Sequence, residues 1–469
     1  MNELRKKIAA FLEENREAMI ADIQAFARIR SVSQAAKAEE NAPFGPECRQ
    51  MLDYALAHAK EMGFDAADHE GYMGSAILGD PNNAIGIVGH LDVVPEGDQW
   101  VYPPYGATRV GDFLIGRGVS DNKSAVILGL YLMKFFRDNQ ISLKHGIRVL
   151  MGCSEETGMQ DLHYYMQHYP EPLLTLVPDA AFPVNYAQKG SMSGASSIAP
   201  GEQIVSFTGG EVRNMVPPHA RAALRGISAE KAAPFFGEGF TVTQGDEGAV
   251  ITAQGVAAHA AAPEGGKSAI LMLARALADS GLLTGQSQAA MEGVAQMCSD
   301  YYGANAGINR EDPDTGKTTM VCGVAKMLKN GKISLSLDCR LSLASDQEAD
   351  KAAYTAYANS LGFTVDQLKS TPPVYMDKND PRVQRLTDLY ADFTGQRLEP
   401  YTMGGGTYSR ELTRSLTFGP GFPDLTARPD LPANHGGAHG PDEFMHIPSF
   451  LRAFELYCCA VKELDDILE

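Results

Sequence analysis

Residues able to do acid–base or metal chemistry recur in this sequence directly after short apolar runs. His90-Leu91-Asp92 follows Ala84 to Gly89 (AIGIVG), Ser154-Glu155-Glu156 follows Gly146 to Gly152 (GIRVLMG), and Pro178-Asp179 follows Leu173 to Val177 (LLTLV). In extended chain, residues two apart point the same way, so Asp92 can reach the ring of His90 and orient it, as the partner of a metal-bound imidazole does. A histidine merely hydrogen-bonded at a strand end gives the same pattern. Adjacent carboxylates such as Glu155 and Glu156 point in different directions, so one can bind a metal ion while the other faces a substrate. After a buried strand they are costly unless paired or metal-bound. The same reasoning applies, more weakly, to Asp179.

Two Gly-rich loops carry further candidates. Gly116 to Lys123 (GRGVSDNK) leads into a helical pattern. Asp121 there fits a helix N-cap. Gly116 and Gly118 also imitate the first glycines of a dinucleotide loop, but Asp121 holds the third position, a poor neighbour for a pyrophosphate. Asn434 to Glu443 (NHGGAHGPDE) contains His435 and His439 and reads either as a surface loop or as the source of a last imidazole ligand. Pooled, these segments offer nitrogen and oxygen ligands suited to zinc or manganese rather than a thiolate site. A bridging carboxylate, two ligands for each ion and one free Glu suffice for metal-assisted hydrolysis. There is no G-x-S-x-G elbow, no H-E-x-x-H and no cysteine in a catalytic context.

Such groups need elements to position them. The apolar runs read as buried strands, and Asp121 to Asp138 reads as a helix with Val126, Leu130, Met133 and Phe136 among its apolar positions. This alternation predicts an α/β catalytic domain of two or three layers with a mainly parallel sheet, whose ligands gather at the carboxyl ends of strands. From about Gly190 to Pro373 the text turns rich in Gly, Ala and Ser. Helices are expected at Ser268 to Ala278 and Asp346 to Leu361, and strands at Ala249 to Thr252 and Lys332 to Leu337. This stretch reads as an inserted α+β domain. The expected division is 1–188 and 381–469 for the two catalytic segments, with 189–380 between them.

Composition narrows the function classes. The chain has 469 residues with 58 acidic against 40 basic, a formal charge of -18, which argues against nucleic acid or an anionic membrane as partner. Met1 to Arg30 repeats apolar residues at helical spacing, interrupted by Glu13, Glu14 and Arg16, and so does not read as a secretory signal. No apolar run reaches the length of a membrane span. Seven scattered cysteines with no CxxC pair point to a reducing, cytoplasmic setting.

Taken in order, HLDVVP (His90 to Pro95), GRGVSDNK (Gly116 to Lys123), SEE (Ser154 to Glu156), VPD (Val177 to Asp179) and HGPDE (His439 to Glu443) resemble the motifs of the co-catalytic zinc peptidases. That family includes aminoacylases, carboxypeptidase G and PepV-type dipeptidases, and the resemblance is closest to the last. GGEVRNMVP (Gly209 to Pro217), GVAAHAAAPEGG (Gly255 to Gly266), DCR (Asp338 to Arg340) and GGGTYSR (Gly404 to Arg410) extend it over essentially the whole chain. The resemblance implies that 189–380 is a lid that binds substrate. It implies two divalent ions, Zn2+ first, with Mn2+ or Co2+ as alternatives. His90 and Asp179 would hold one ion, Glu156 and His439 the other, and Asp121 both. Glu155 would be the general base and Asp92 would orient His90. In the lid, His259 would assist the oxyanion, Arg340 would hold the substrate carboxylate and Asn214 would add a contact. Gly405, Gly406 and Thr407 would contribute backbone donors, and His435 stays a loop residue. A cis peptide between Asp121 and Asn122 is implied as well.

The activity so implied is hydrolysis of dipeptides, with β-alanyl dipeptides left open, by a hydroxide shared between two ions and served by Glu155. Asp179, where the family's carboxypeptidases resemble one another in using Glu, favours the dipeptidase reading. The alternative is a deacylase or amidase of N-acyl amino acids, against which the long middle domain speaks. A non-catalytic binding protein on the same fold would have lost a ligand or Glu155, and none is lost. The expected partner is a small peptide substrate, with no nucleic acid and no membrane, and the expected form is a monomer with a hinged lid.

Overall fold

The computed structural model describes residues 2–468; Met1, the first residue of the expected N-terminal helical pattern, and Glu469 lie outside the described residues. The chain divides into two compact units. The first contains the chain up to Tyr186, Met376–Tyr401 and the chain from Thr407 onward; the second contains Ala187–Tyr375 and the short segment Thr402–Gly406.

The first unit is built on a twisted sheet whose central strands are the apolar runs. In order across the sheet stand Asp65–His69, Met73–Leu78, Gly146–Gly152, Ala84–His90, Leu174–Val177, Ser415–Thr417 and Asn185–Gln188. The four strands from Gly146–Gly152 to Ser415–Thr417 pair in parallel. The margins are antiparallel, formed by the Asp65–Leu78 hairpin on one side and by Asn185 beside Thr417 on the other. The parallel core matches the expectation. The hairpin margin is antiparallel because Glu70 and Gly71, both at positive φ, turn the chain straight back on itself.

Alternation along the strands gives each face a helical layer. Ile87 and Val149 touch Gly129 of the helix Lys123–Asp138, while their neighbours Val88 and Leu150 join Leu162 and Tyr165 of the helix Gln160–His168 on the opposite face. Strands covered on both faces must be apolar throughout, and Ala84–His90 and Gly146–Gly152 are buried at every residue. The helix Lys123–Asp138 is apolar almost all round because it is covered too, by the helices Asn2–Ala27 and Ile447–Ile467. Each fully buried Leu, Ile or Phe in this stack stabilises by about 1.5–3 kcal/mol. The stack makes a rigid floor for the strand ends.

The second unit is an antiparallel sheet with helices. Its strands run Phe240–Gln244, Ala249–Gln254, His219–Leu224, Ile204–Gly209, Ala325–Met327, Ile333–Leu341 and Gly190–Ile198 in spatial order. Alternating burial in His219–Leu224 shows one covered face and one open face. The helix Ala269–Asp279 buries Ala269, Ile270, Leu273, Ala274 and Leu277 at helical spacing, and Ser268 caps it by accepting from the Leu271 N–H. Asp346 caps Gln347–Ser360 in the same way.

Candidate metal centre

Three parallel strands end side by side, and each delivers a ligand candidate at its carboxyl end: His90 as the last residue of one strand, Glu155 and Glu156 just beyond the second, and Asp179 just beyond the third. Parallel strands of similar length bring their ends to one edge, so residues far apart in sequence share a small volume. Asp121 comes from the loop that enters the helix Lys123–Asp138, and His439 from the Gly-rich loop before the strand Phe444–His446.

His90, Asp121 and Glu156 place one ligand atom each within 4.8 Å of one another. The two oxygens of Asp121 face different imidazoles: Oδ1 lies 3.1 Å from His90 Nε2 and Oδ2 lies 3.1 Å from His439 Nε2. His439 Nε2 is also 3.0 Å from Glu156 Oε1. Asp179 is tied to the same loop, because Asn122 Nδ2 donates to its Oδ1 at 3.0 Å and to the Pro178 carbonyl at 2.8 Å. The Asp121–Asn122 peptide is cis.

The ring of His90 is set by Asp92, chiefly through the main chain. The Nδ1–H donates to the Asp92 carbonyl at 2.9 Å, while the Asp92 carboxylate, the expected partner, lies 3.5 Å away. Nδ1 as donor leaves Nε2 as the nitrogen available to a cation. The Asp92 carboxylate instead accepts the N–H groups of Glu155 at 3.1 Å and Glu156 at 3.2 Å, fixing the turn that aims both glutamates.

Other positioning residues escaped the sequence reading. Glu443 is fully buried and accepts the N–H groups of Gly118, Ser120 and Asp121 at 2.9–3.1 Å. Its other oxygen takes Arg117 Nη1 at 2.8 Å, and the Arg117 guanidinium lies over Trp100. Asp161 accepts from the N–H groups of Cys153 and Ser154 and from the Tyr408 hydroxyl. Gly152 is what admits that hydroxyl, since a Cβ there would stand 1.7 Å from it. His435 is more than a loop residue: its Nδ1 meets Asp442 Oδ2 at 2.5 Å, and Asp442 also binds the N–H groups of Val101 and Tyr102. The only local signals for these were the acids closing HGPDE and the histidine preceding it.

Electrostatically the cluster is short of positive charge. Burial pushes the Glu155 carboxyl far up; His90 counteracts this, while Asp179, Glu156 and Asp92 add to it. Asp179 is likewise driven far above the ordinary range by burial and by Asp121. His439 is raised to about 10 by its hydrogen bonds to Asp121 and Glu156. Four carboxylates facing two imidazoles with oxygen and nitrogen donors converging fit divalent cations of the zinc or manganese type.

The remaining candidates belong to the second unit, apart from Thr407, whose hydroxyl lies 3.1 Å from that of Thr417 in the first. His259 pairs with Met215 across a short antiparallel bridge, and the Asn214 carbonyl accepts the Ala260 N–H at 2.9 Å. The Ala261 N–H donates to His259 Nδ1 at 3.1 Å, which leaves the proton on Nε2. Burial and the charge of Arg340 lower the His259 pKa and hold the ring neutral. Arg340 lies near the end of the strand Ile333–Leu341, and Gly405 and Gly406 follow Gly404, whose carbonyl accepts from Arg340 Nη1 at 3.2 Å.

Residues 86–463 match the peptidase family M20/M25/M40. The chain is 28% identical to the Bacillus subtilis (strain 168) protein named "Putative dipeptidase YtjP", over 96% of this chain and 97% of that protein. It is 30% identical to "Putative dipeptidase SAR1836" of Staphylococcus aureus (strain MRSA252), over 97% of this chain and 98% of that one. In fold it is similar to human carnosine dipeptidase 1, with a TM-score of 0.60 at 12% identity over 99% of each chain. A match across most of the chain, carried by a cation-seeking cluster at the strand ends, means that this protein belongs to peptidase family M20/M25/M40 and is a peptide-bond hydrolase.

Proposed function

We propose that this chain is a dipeptidase working with two divalent metal ions, zinc by preference. The observation that carries the two-ion reading is Asp121, whose two carboxylate oxygens each face a different histidine, as a ligand shared between two ions must. His90 and Asp179 would hold one ion, Glu156 and His439 the other. Bound there, the ions would supply Lewis acidity toward a water and the scissile carbonyl.

The protein's own groups do the rest. Glu155 stands beside Glu156, just beyond the strand end, and is not among the residues assigned to either ion. It takes the proton of the attacking water and passes it to the leaving amine, as a general base does. Asp92 keeps Glu155 aimed through its main-chain N–H. His259, neutral with its proton on Nε2, donates to the oxygen that gains charge. Arg340 holds the C-terminal carboxylate, Asn214 adds a contact, and Gly405, Gly406 and Thr407 contribute backbone donors. Recognition of a carboxylate one residue beyond the cleaved bond limits the substrate to a single residue on the C-terminal side of that bond. The names of the two bacterial relatives support the dipeptide assignment. The seven free and buried cysteines support a reducing, cytoplasmic setting.

The test is chelation and reconstitution. The stripped protein should lose dipeptide hydrolysis, and titration with Zn2+ or Mn2+ should restore it with two equivalents bound per chain. Full activity of the stripped protein, or saturation at one equivalent, would overturn the two-ion reading.

A further inference from the structure

Arg340 is oriented before any substrate arrives. It shares one face of the strand Ile333–Leu341 with Asp338, two residues earlier. That strand is held on both sides: Asp338 stands opposite Ser193 and Val321, and Arg340 opposite Ser191 and Thr319. Asp338 Oδ1 accepts from Arg340 Nε at 2.7 Å and Oδ2 accepts from Nη2 at 3.2 Å. On the far side, Nη1 donates to the Gly404 carbonyl at 3.2 Å. The side chains of the pair are 13% and 12% exposed, so solvent does little to loosen it.

We infer that Asp338 is the positioning residue of the substrate-carboxylate site, fixing Arg340 so that its unused donors are presented to the C-terminal carboxylate of the peptide. This rests on the reading of Arg340 as the carboxylate anchor. A guanidinium has five N–H donors. Three are taken by Asp338 and Gly404, and one N–H remains on each terminal nitrogen. Asp338 offsets part of the arginine's charge, which weakens long-range attraction. In return, a side chain with several free torsions is already ordered, so binding does not have to freeze it.

The same clamp reaches His259. A Cβ on Gly404 would stand 2.6 Å from the Ala261 Cβ, so the two residues are in close contact only because position 404 is glycine. Ala261 in turn donates its N–H to His259 Nδ1. Asp338, Arg340, Gly404, Ala261 and His259 thus form one connected set within the second unit.

The experiment compares a dipeptide with the same dipeptide as its C-terminal amide, using the metal-loaded protein. The wild type should favour the free acid in kcat/KM by about 100-fold, as expected for charge-assisted pairing. Arg340→Ala should abolish that preference. Asp338→Asn should raise KM for the free acid about tenfold, while kcat for the acid and kcat/KM for the amide change far less, within about twofold. Retained amide turnover shows that the variant is folded. Should Asp338→Asn lose all activity, Asp338→Glu takes its place: it keeps the charge but displaces the carboxylate by one methylene, and the same selective rise in KM is expected. If Arg340→Ala loses the preference but the Asp338 variant keeps it at the full wild-type size, the positioning role is wrong. If the wild type shows no preference, or Arg340→Ala retains it, the anchor reading fails and takes this inference with it.

Discussion

At the scale of single residues, the duties proposed for Asp121 and Glu155 are separable. Asp121 sits between two imidazoles, so its loss removes the negative charge shared by both proposed ion positions. Asp121→Ala should leave the purified protein without bound metal. Glu155 makes no contact with either histidine comparable to that of Asp121, so Glu155→Ala should keep its metal while turnover falls by about 10²–10⁴, the usual worth of a general base. Elemental analysis after desalting, together with dipeptide turnover, checks both. Full metal occupancy in Asp121→Ala would contradict the bridging role. His90, Asp121, Glu155, Glu156, Asp179 and His439 could be picked from the sequence because each sits in a short, locally recognisable string after an apolar run or within a Gly-rich loop. Asp92 was legible only in part: spacing brings it to His90, but only the folded turn shows its carboxylate bound to the glutamate backbone.

At the scale of elements, the strands Ala84–His90 and Gly146–Gly152 were legible as mainly apolar runs, broken only by Arg148 and ending in His90, and burial on both faces is the physical cause. Partners distant in sequence were not. Glu443 meets Arg117 across 326 residues, and Tyr408 meets Asp161 across 247, so no local pattern could join them. Glu443→Ala strands a buried guanidinium and frees the N–H groups of the Asp121 loop. It should destabilise the protein by about 3–5 kcal/mol in urea unfolding; a change below about 1 kcal/mol would show the pair to be dispensable. Asp465 makes a milder tie between the end of the helix Ile447–Ile467 and the start of the strand Gly146–Gly152. Its Oδ1 accepts from the Lys144 and His145 N–H groups at 2.9 Å and meets His145 Nδ1 at 3.0 Å. Burial disfavours the charge, but these bonds win and hold the carboxyl below the usual aspartate range. A carboxyl lowered on folding stabilises fully above its unfolded value near pH 4, and that contribution is lost as pH falls through the lower folded value. Asp465→Asn should therefore cost about 1 kcal/mol at neutral pH, with the gap closing in more acid solution. A gap that stays constant down to about pH 2 would assign the effect to packing rather than charge.

At the scale of the whole molecule, the chain passes from one unit to the other around Tyr186, Tyr375, Tyr401 and Gly406, and the candidate residues divide between them: metal ligands and base in the first, His259, Asn214 and Arg340 in the second. A single chain thus carries every group that the proposed reaction uses. Mixing inactive Glu155→Ala protein with inactive His259→Ala protein should restore no activity, and recovery would mean that subunits share residues. The charge of -18 is in keeping with a small-molecule enzyme rather than a nucleic-acid binder. Competition among substrates separates a dipeptidase from a deacylase on the same fold. Metal-loaded protein should be given an unmodified dipeptide, the tripeptide extended at its C-terminus and the matching N-acyl amino acid, with kcat/KM measured for each. The dipeptide should be preferred over both others by at least about tenfold, the effect of roughly 1.4 kcal/mol in the transition state. Equal or faster hydrolysis of the N-acyl amino acid would contradict the dipeptidase assignment and make the protein a deacylase on the same fold.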